Sequence, residues 1–134
     1  MFTHSLQVRF RDLDALRHVN NSVYLTYLEE VRIAYMQAHQ TGSVFDVQHG
    51  TIVARCEIDY RYPAVLGDTL ITEMCVGEIR RSSFEFIYTL YRQSDRRLIA
   101  QAKTIMVCYN YALGTPVRLP DEWRKQLEAD QAAV

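Results

Sequence analysis

Leu6, Val8 and Phe10 alternate with Gln7 and Arg9, the period of a short strand with one wet face. A polar, irregular stretch follows from Arg11 to Asn21. From Ser22 the period changes. Tyr24, Tyr27, Leu28, Val31, Ala34, Tyr35 and Ala38 recur at three- and four-residue steps. Thr26, Glu29, Glu30, Arg32 and Gln37 fall between them, which predicts an amphipathic helix over roughly residues 22–40. Asn20, Asn21 or Ser22 supplies its cap, and Gly42 marks its end.

After Gly50 the period becomes two. Ile52, Ala54, Cys56, Ile58, Tyr60 and Tyr62 fall on one face, and Val53, Arg55, Glu57, Asp59 and Arg61 on the other, a strand of about ten residues closed by Pro63. Gly67-Asp68 turns the chain into a strand carrying Leu70, Thr72, Met74 and Val76, with Gly77 placed for a bulge. Phe84, Phe86, Tyr88 and Leu90 open another strand, Ser94-Asp95 forms a hairpin tip, and Leu98 to Cys108 alternates once more. Trp123 and Leu127, four apart after Pro120, predict a short C-terminal helix. Tight turns between successive strands require antiparallel pairing. One long helix laid on such a sheet makes an α+β layer. Arg55, Glu57, Asp59, Gln101 and Lys103 mark the far face, ready for water or a second subunit.

The 134 residues, 49% of them hydrophobic, suit a single domain over residues 1–134. Fifteen basic against sixteen acidic side chains leave a net charge of −1, without the Lys and Arg excess that non-specific nucleic-acid binding requires. No apolar run has the roughly 20 residues of a membrane span. The N-terminal residues lack the basic start and apolar core of a signal peptide, so a cytoplasmic protein is expected. Cys56, Cys75 and Cys108 are odd in number and widely spaced, which predicts free, buried thiols rather than disulfides or a zinc knuckle.

Candidate chemistry concentrates in the loop before the long helix, where Asp12, Asp14, His18, Asn20 and Asn21 fall within ten residues. The loop feeds a helix N-terminus, whose unpaired amides favour negative charge and can stabilise an oxyanion. A carboxylate beside it can serve as nucleophile or as general base on water. The same residue types also build turns and caps. Serine-hydrolase, zinc-protease and phosphate-loop motifs are absent, and His4, His18, His39 and His49 have no metal-ligand spacing. Asp12 and Asp14 could hold Mg²⁺ only beside an apolar parallel strand, which the pattern does not supply. Arg80-Arg81-Ser82-Ser83 forms a second polar cluster, suited either to phosphate or to a solvated strand edge.

Val8-Arg9-Phe10-Arg11-Asp12-Leu13-Asp14, His18-Val19-Asn20-Asn21, Tyr24 and Glu29-Glu30 together resemble the opening of hotdog-fold acyl-CoA thioesterases of the 4-hydroxybenzoyl-CoA thioesterase-like group. The likeness continues through Glu57-Ile58-Asp59-Tyr60, Pro63 to Asp68 and Arg80 to Phe84, covering roughly residues 5–110. The resemblance implies a long central helix wrapped by an antiparallel sheet of about five or six strands. It implies a metal- and cofactor-free hydrolase acting on an acyl-CoA, with Asp14 as nucleophile or general base and the backbone of Asn21 polarising the carbonyl. Arg80 and Arg81, with Ser83 more weakly, carry over as ligands of the coenzyme A phosphates. It also implies dimers or tetramers with active sites between subunits.

His18 is a further catalytic candidate, although a loop histidine more often serves the backbone. Tyr24, Tyr27, Tyr35 and Tyr60 either line an acyl tunnel or fill the core, Tyr24 being the substrate-binding candidate among them. Two departures stand out: Arg17 where many relatives have Gly, and Ser82 where hydroxybenzoyl-type relatives have Lys. A non-catalytic module binding acyl-CoA or an acyl carrier is the alternative. A dehydratase on the same fold would want a histidine between Ser22 and Ala38, and none is there.

Overall fold

The computed structural model describes residues 1–39 and 47–132. Strand β1 (Phe2–Gln7) leads through a 3-10 turn (Phe10–Asp12) into helix α1 (Val23–His39). Strands β2 (Gly50–Tyr60), β3 (Thr69–Ile79), β4 (Ser83–Arg92), β5 (Leu98–Asn110) and the short β6 (Thr115–Pro116) follow, and α2 (Asp121–Ala129) ends the fold. The sheet runs β1-β3-β4-β5-β2, with every pairing antiparallel and β6 on the end of β5. A long helix lies against this six-stranded sheet, which is the hotdog arrangement. Gly42, expected to end the helix, lies outside the described residues.

Helix α1 buries Tyr24, Tyr27, Leu28, Val31 and Tyr35, five of the seven stripe positions. Leu28 and Val31 are at most 1% exposed, and burying each contributes about 1.5–3 kcal/mol. Ala38 is exposed and Ala34 only partly buried. Arg32, which the periodicity places on the wet face, is 9% exposed. It lies four residues beyond Leu28 and eight beyond Tyr24, so it belongs to their row, turned toward the sheet.

Two further expectations change. Phe10 does not continue the first strand and is 80% exposed. Asp12 Oδ2 accepts the Arg9 amide at 2.9 Å and the Asp12 amide returns to the Arg9 carbonyl at 3.0 Å, turning the chain just before it. In β2 the pairing with β5 shifts between Val53 and Arg55, so one extra residue, Ala54, interrupts the alternation. Val53 therefore shares a face with its partner Met106, which is buried, whereas Ile52 joins the opposite face. Cys56, Ile58 and Tyr60 oppose the inward Thr104, Ala102 and Ala100. Tyr62 lies past the strand's end.

The expected bulge at Gly77 is present, since the β3–β4 register shifts between Val76 and Ile79. A Cβ there would sit 3.1 Å from Glu85 Cβ and Ile87 Cδ1, so the residue must be small. Of the three cysteines expected to be buried, Cys108 is buried, Cys75 is partly buried and Cys56 is exposed. Cys56 faces inward on an edge strand that α1 does not cover. Among the described residues no helix is long and apolar enough to cross a membrane.

Candidate active site

Residues 13–19 fold back on themselves. Leu13 bridges Val19, the Asp14 amide donates to the His18 carbonyl at 2.8 Å, and the Arg17 amide donates to the Asp14 carbonyl at 3.0 Å. Asp14 Oδ1 closes the turn by accepting the amides of Leu16 at 2.9 Å and His18 at 3.3 Å. An aspartate that captures amides just ahead of itself is a local turn device. Oδ2 has no hydrogen-bond partner among the described residues. Arg17 takes φ 64°, the left-handed conformation a glycine adopts freely, so the loop keeps that shape despite the departure from Gly.

This loop is docked by distant segments. The Val19 amide donates to the Ala64 carbonyl at 2.9 Å and His18 bridges Val65. Asp12 shapes the approach, its Oδ2 also accepting Tyr27 Oη at 2.7 Å and its carbonyl accepting the Asn20 amide at 2.8 Å. Burial, then the contact with Asp12, pushes the Tyr27 phenol far up, so it stays a proton donor. Tyr60 Oη donates to the Asn21 carbonyl at 3.0 Å and tethers the end of β2 to the start of α1. The Tyr24 and Tyr60 rings meet edge-on at 5.3 Å.

A cavity of about 380 Å³ opens here, lined by Asp14, His18, Asn21, Tyr24, Tyr60 and Tyr62 among others. At the helix start, Asn20 is the capping residue: its Oδ1 accepts the Ser22 amide at 3.0 Å and its carbonyl accepts the Val23 amide at 2.9 Å. The Asn21 amide finds no acceptor among the described residues. The first turn of α1 carries no acidic side chain, so its positive end stays uncompensated. The cavity therefore combines an open carboxylate oxygen, a free amide and a helix N-terminus. Asp14 is exposed in the single chain and lines this cavity. His18 lines the cavity, but it meets Asp14 through its backbone amide and not its ring. Burial pushes the Tyr24 phenol up, with the Ala64 backbone pulling it partly back.

Arg80, Arg81 and Ser83 are not brought to this cavity within one chain. They lie before and at the first residue of β4, whereas Arg92 at its last residue donates to the Pro63 carbonyl beside the cavity, at 3.4 Å. The ten residues of β4 span about 30 Å. Arg80 pairs with Glu78 through Nε at 3.1 Å and Nη2 at 3.0 Å. The carbonyls of Arg80 and Arg81 accept Arg124 Nη2 at 2.8 and 3.4 Å, so α2 braces the turn. Tyr27 and Tyr35 are core residues, 6% and 2% exposed; Tyr24 and Tyr60 border the cavity. Sequence reasoning missed Arg32, although its spacing from Tyr24 and Leu28 was a usable signal.

A long helix laid on an antiparallel sheet of this strand order defines a hotdog protein. The chain belongs to the thioesterase-like superfamily, whose model matches residues 8–127. It is 29% identical over 132 residues to the long-chain acyl-CoA thioesterase FadM of Escherichia coli K12, covering 92% of this chain and 94% of the relative. It is 27% identical over 124 residues to the acyl-CoA thioesterase YbgC of Haemophilus influenzae, covering 90% of each. Among solved structures, a thioesterase from Thermus thermophilus, complexed with coenzyme A and zinc, superposes with a TM-score of 0.82 at 33% identity, covering 93% of this chain and 95% of that one. Among the described residues here, no group of three His, Cys, Asp or Glu side chains gathers as a metal site.

Proposed function

We propose that this protein hydrolyses acyl-CoA thioesters to the free acid and coenzyme A. One observation carries the reading: Asp14, with an unengaged carboxylate oxygen, and Asn21, with an unengaged amide, border the same cavity at the start of α1. The thioester oxygen sits toward the Asn21 amide, and charge developing on it is stabilised by that donor and the helix end. Asp14 acts in one of two ways. As a general base it takes a proton from the attacking water, the C–S bond breaks, and the thiolate leaves to be protonated. As a nucleophile it expels the thiolate, forming an acyl anhydride that water then opens. His18 lines the site without a ring contact to Asp14, which favours a positioning role.

Coenzyme A as the carrier is supported by the names of the relatives and by the coenzyme A held in the Thermus thermophilus protein. The separation of about 30 Å between the Asp14 cavity and the Arg80 turn favours a dimer in which Arg80, Arg81 and Ser83 serve a second copy's cavity. The free outer edge of β2, eleven residues long, is a surface on which two copies can join their sheets. Thiol release from a panel of acyl-CoAs tests the activity. Release by the wild type that collapses in Asp14→Asn supports it. Near wild-type release by Asp14→Asn overturns the assignment of Asp14, and binding without release would make the protein a non-catalytic module.

A further inference from the structure

Arg32 is the one charged side chain among the described residues that the fold buries between helix and sheet. Its single side-chain hydrogen bond in that region is from Nη1 to Tyr88 Oη, at 3.3 Å, and Tyr88 in turn meets Thr104 Oγ1 at 2.6 Å. A guanidinium has five N–H donors, and a neutral phenol does not balance its charge. No carboxylate among the described residues lies within ion-pair distance of it. Its other donors are nevertheless not sealed in apolar surroundings, because among the described residues the fully enclosed side-chain polar atom without a partner is Thr72 Oγ1. They therefore keep a small contact with solvent, in a residue 9% exposed overall.

Toward β2 the fold is more exposed. Cys56, directly opposite Thr104 in the sheet, is inward-facing yet exposed, and Tyr60, four residues on, is 50% exposed. Arg32 reaches Tyr88, Tyr88 reaches Thr104, and Thr104 lies opposite Cys56; burial pushes the Cys56 thiol up and the Arg32 charge pulls it partly back. Tyr60 and Tyr24 border the Asp14 cavity. Two walls thus run side by side beyond the cavity, Tyr24-Leu28-Arg32 on the helix, which is buried, and Tyr60-Ile58-Cys56 on the strand, which is largely exposed. Eight residues of helix rise about 12 Å and four of strand about 13 Å, so the two walls keep step. An acyl group held at Asn21 and directed along the exposed strand wall ends beside Arg32.

We propose that Arg32 is a specificity-determining residue that receives an oxygen acceptor at the far end of the acyl group, a carboxylate being the best match. This rests on the thioesterase reading and deepens it. A carboxylate there gives the guanidinium paired, charge-assisted bonds. A plain alkyl chain filling the same space strips the remaining solvent from an uncompensated charge, so it is selected against.

The test compares adipoyl-, suberoyl- and sebacoyl-CoA with hexanoyl-, octanoyl- and decanoyl-CoA, on wild type, Arg32→Met and Arg32→Lys, each checked by thermal melting. The expected result is a preference of about 10- to 100-fold in kcat/KM for one carboxyl-ended chain over its plain counterpart. Arg32→Met abolishes or inverts that ratio, and Arg32→Lys keeps part of it. Equal losses on both members of every pair, or an unchanged ratio in Arg32→Met, overturn the proposal. Calorimetric binding of the same thioesters to Asp14→Asn, with and without Arg32→Met, separates the two readings. If the wild type releases no coenzyme A yet suberoyl-CoA binds in an Arg32-dependent way, hydrolysis fails and the Arg32 site stands. If binding shows no dependence on Arg32, the site fails by itself.

Discussion

The two polar clusters singled out in the sequence end at opposite ends of the sheet, and they are built differently. The Asp12–Asn21 loop is closed by its own side chains and then docked by Tyr60, Ala64 and Val65 from far along the chain, leaving a cavity. The Arg80–Ser83 turn has its cations on the surface, Arg80 already paired with Glu78 and 62% exposed. Local polarity favours the loop, with the Arg-Arg-Ser-Ser turn second. What separates them is convergence, because only one cluster is enclosed by segments that bring apolar walls and free donors to it. A preorganised set of donors beside a carboxylate is what makes it chemically useful.

The contrast can be broken by substitutions at either end. Asp14→Asn keeps the shape but removes the base, and we expect kcat to fall by about 10²–10⁴ with KM little changed. Steady-state kinetics with unchanged kcat would place the chemistry elsewhere. Asp130 belongs to the other end, where its carbonyl accepts the Val76 amide and its Oδ2 accepts Tyr35 Oη at 2.6 Å and Gln126 Nε2 at 2.8 Å. Asp130→Ala should cost about 2 kcal/mol of stability and leave kcat alone. Burial would raise this carboxyl, but the Tyr35 and Gln126 bonds and the nearby His39 hold it below its ordinary 3.8. Its contribution is therefore complete above that value and lost as pH falls through the lower folded value. The gap between wild type and variant in denaturant melts should close in acid.

Smaller effects sharpen the picture. Arg80→Ala with Arg81→Ala should raise KM for an acyl-CoA about 10-fold and spare kcat, with no change on an acyl-pantetheine that lacks the nucleotide phosphates. An equal change on both substrates would show the turn to be structural only. Arg17→Gly should raise stability by about 0.5–1 kcal/mol, since relief of left-handed strain of about 1–2 kcal/mol exceeds the added entropy of the unfolded chain. A loss of stability in thermal melts would mean that the Arg17 side chain holds the loop.

Much of this was legible in advance. The order of strands, the helix stripe of Tyr24, Tyr27, Leu28, Val31 and Tyr35, the Gly77 bulge and the helix after Pro120 all follow from short-range periodicity and turn chemistry. The failures share one cause. Phe10 left its strand because Asp12 turned the chain, and the β2 faces exchanged because Ala54 added one residue to the count. Arg32 was assigned to water because its residue type outweighed its spacing.

By itself, then, the order of residues determined which segments coil, which extend, and that an aspartate-rich turn precedes a long helix. Those are matters of nearest neighbours, decided within a few residues by sterics and local hydrogen bonds. The tertiary structure decided that Asp14 and the free amide of Asn21 border one cavity, that Arg80 lies a strand's length away, and that Arg32 is buried against Tyr88. Such relations depend on strands meeting across the whole chain, and one inserted residue in β2 is enough to change which side chains share a wall.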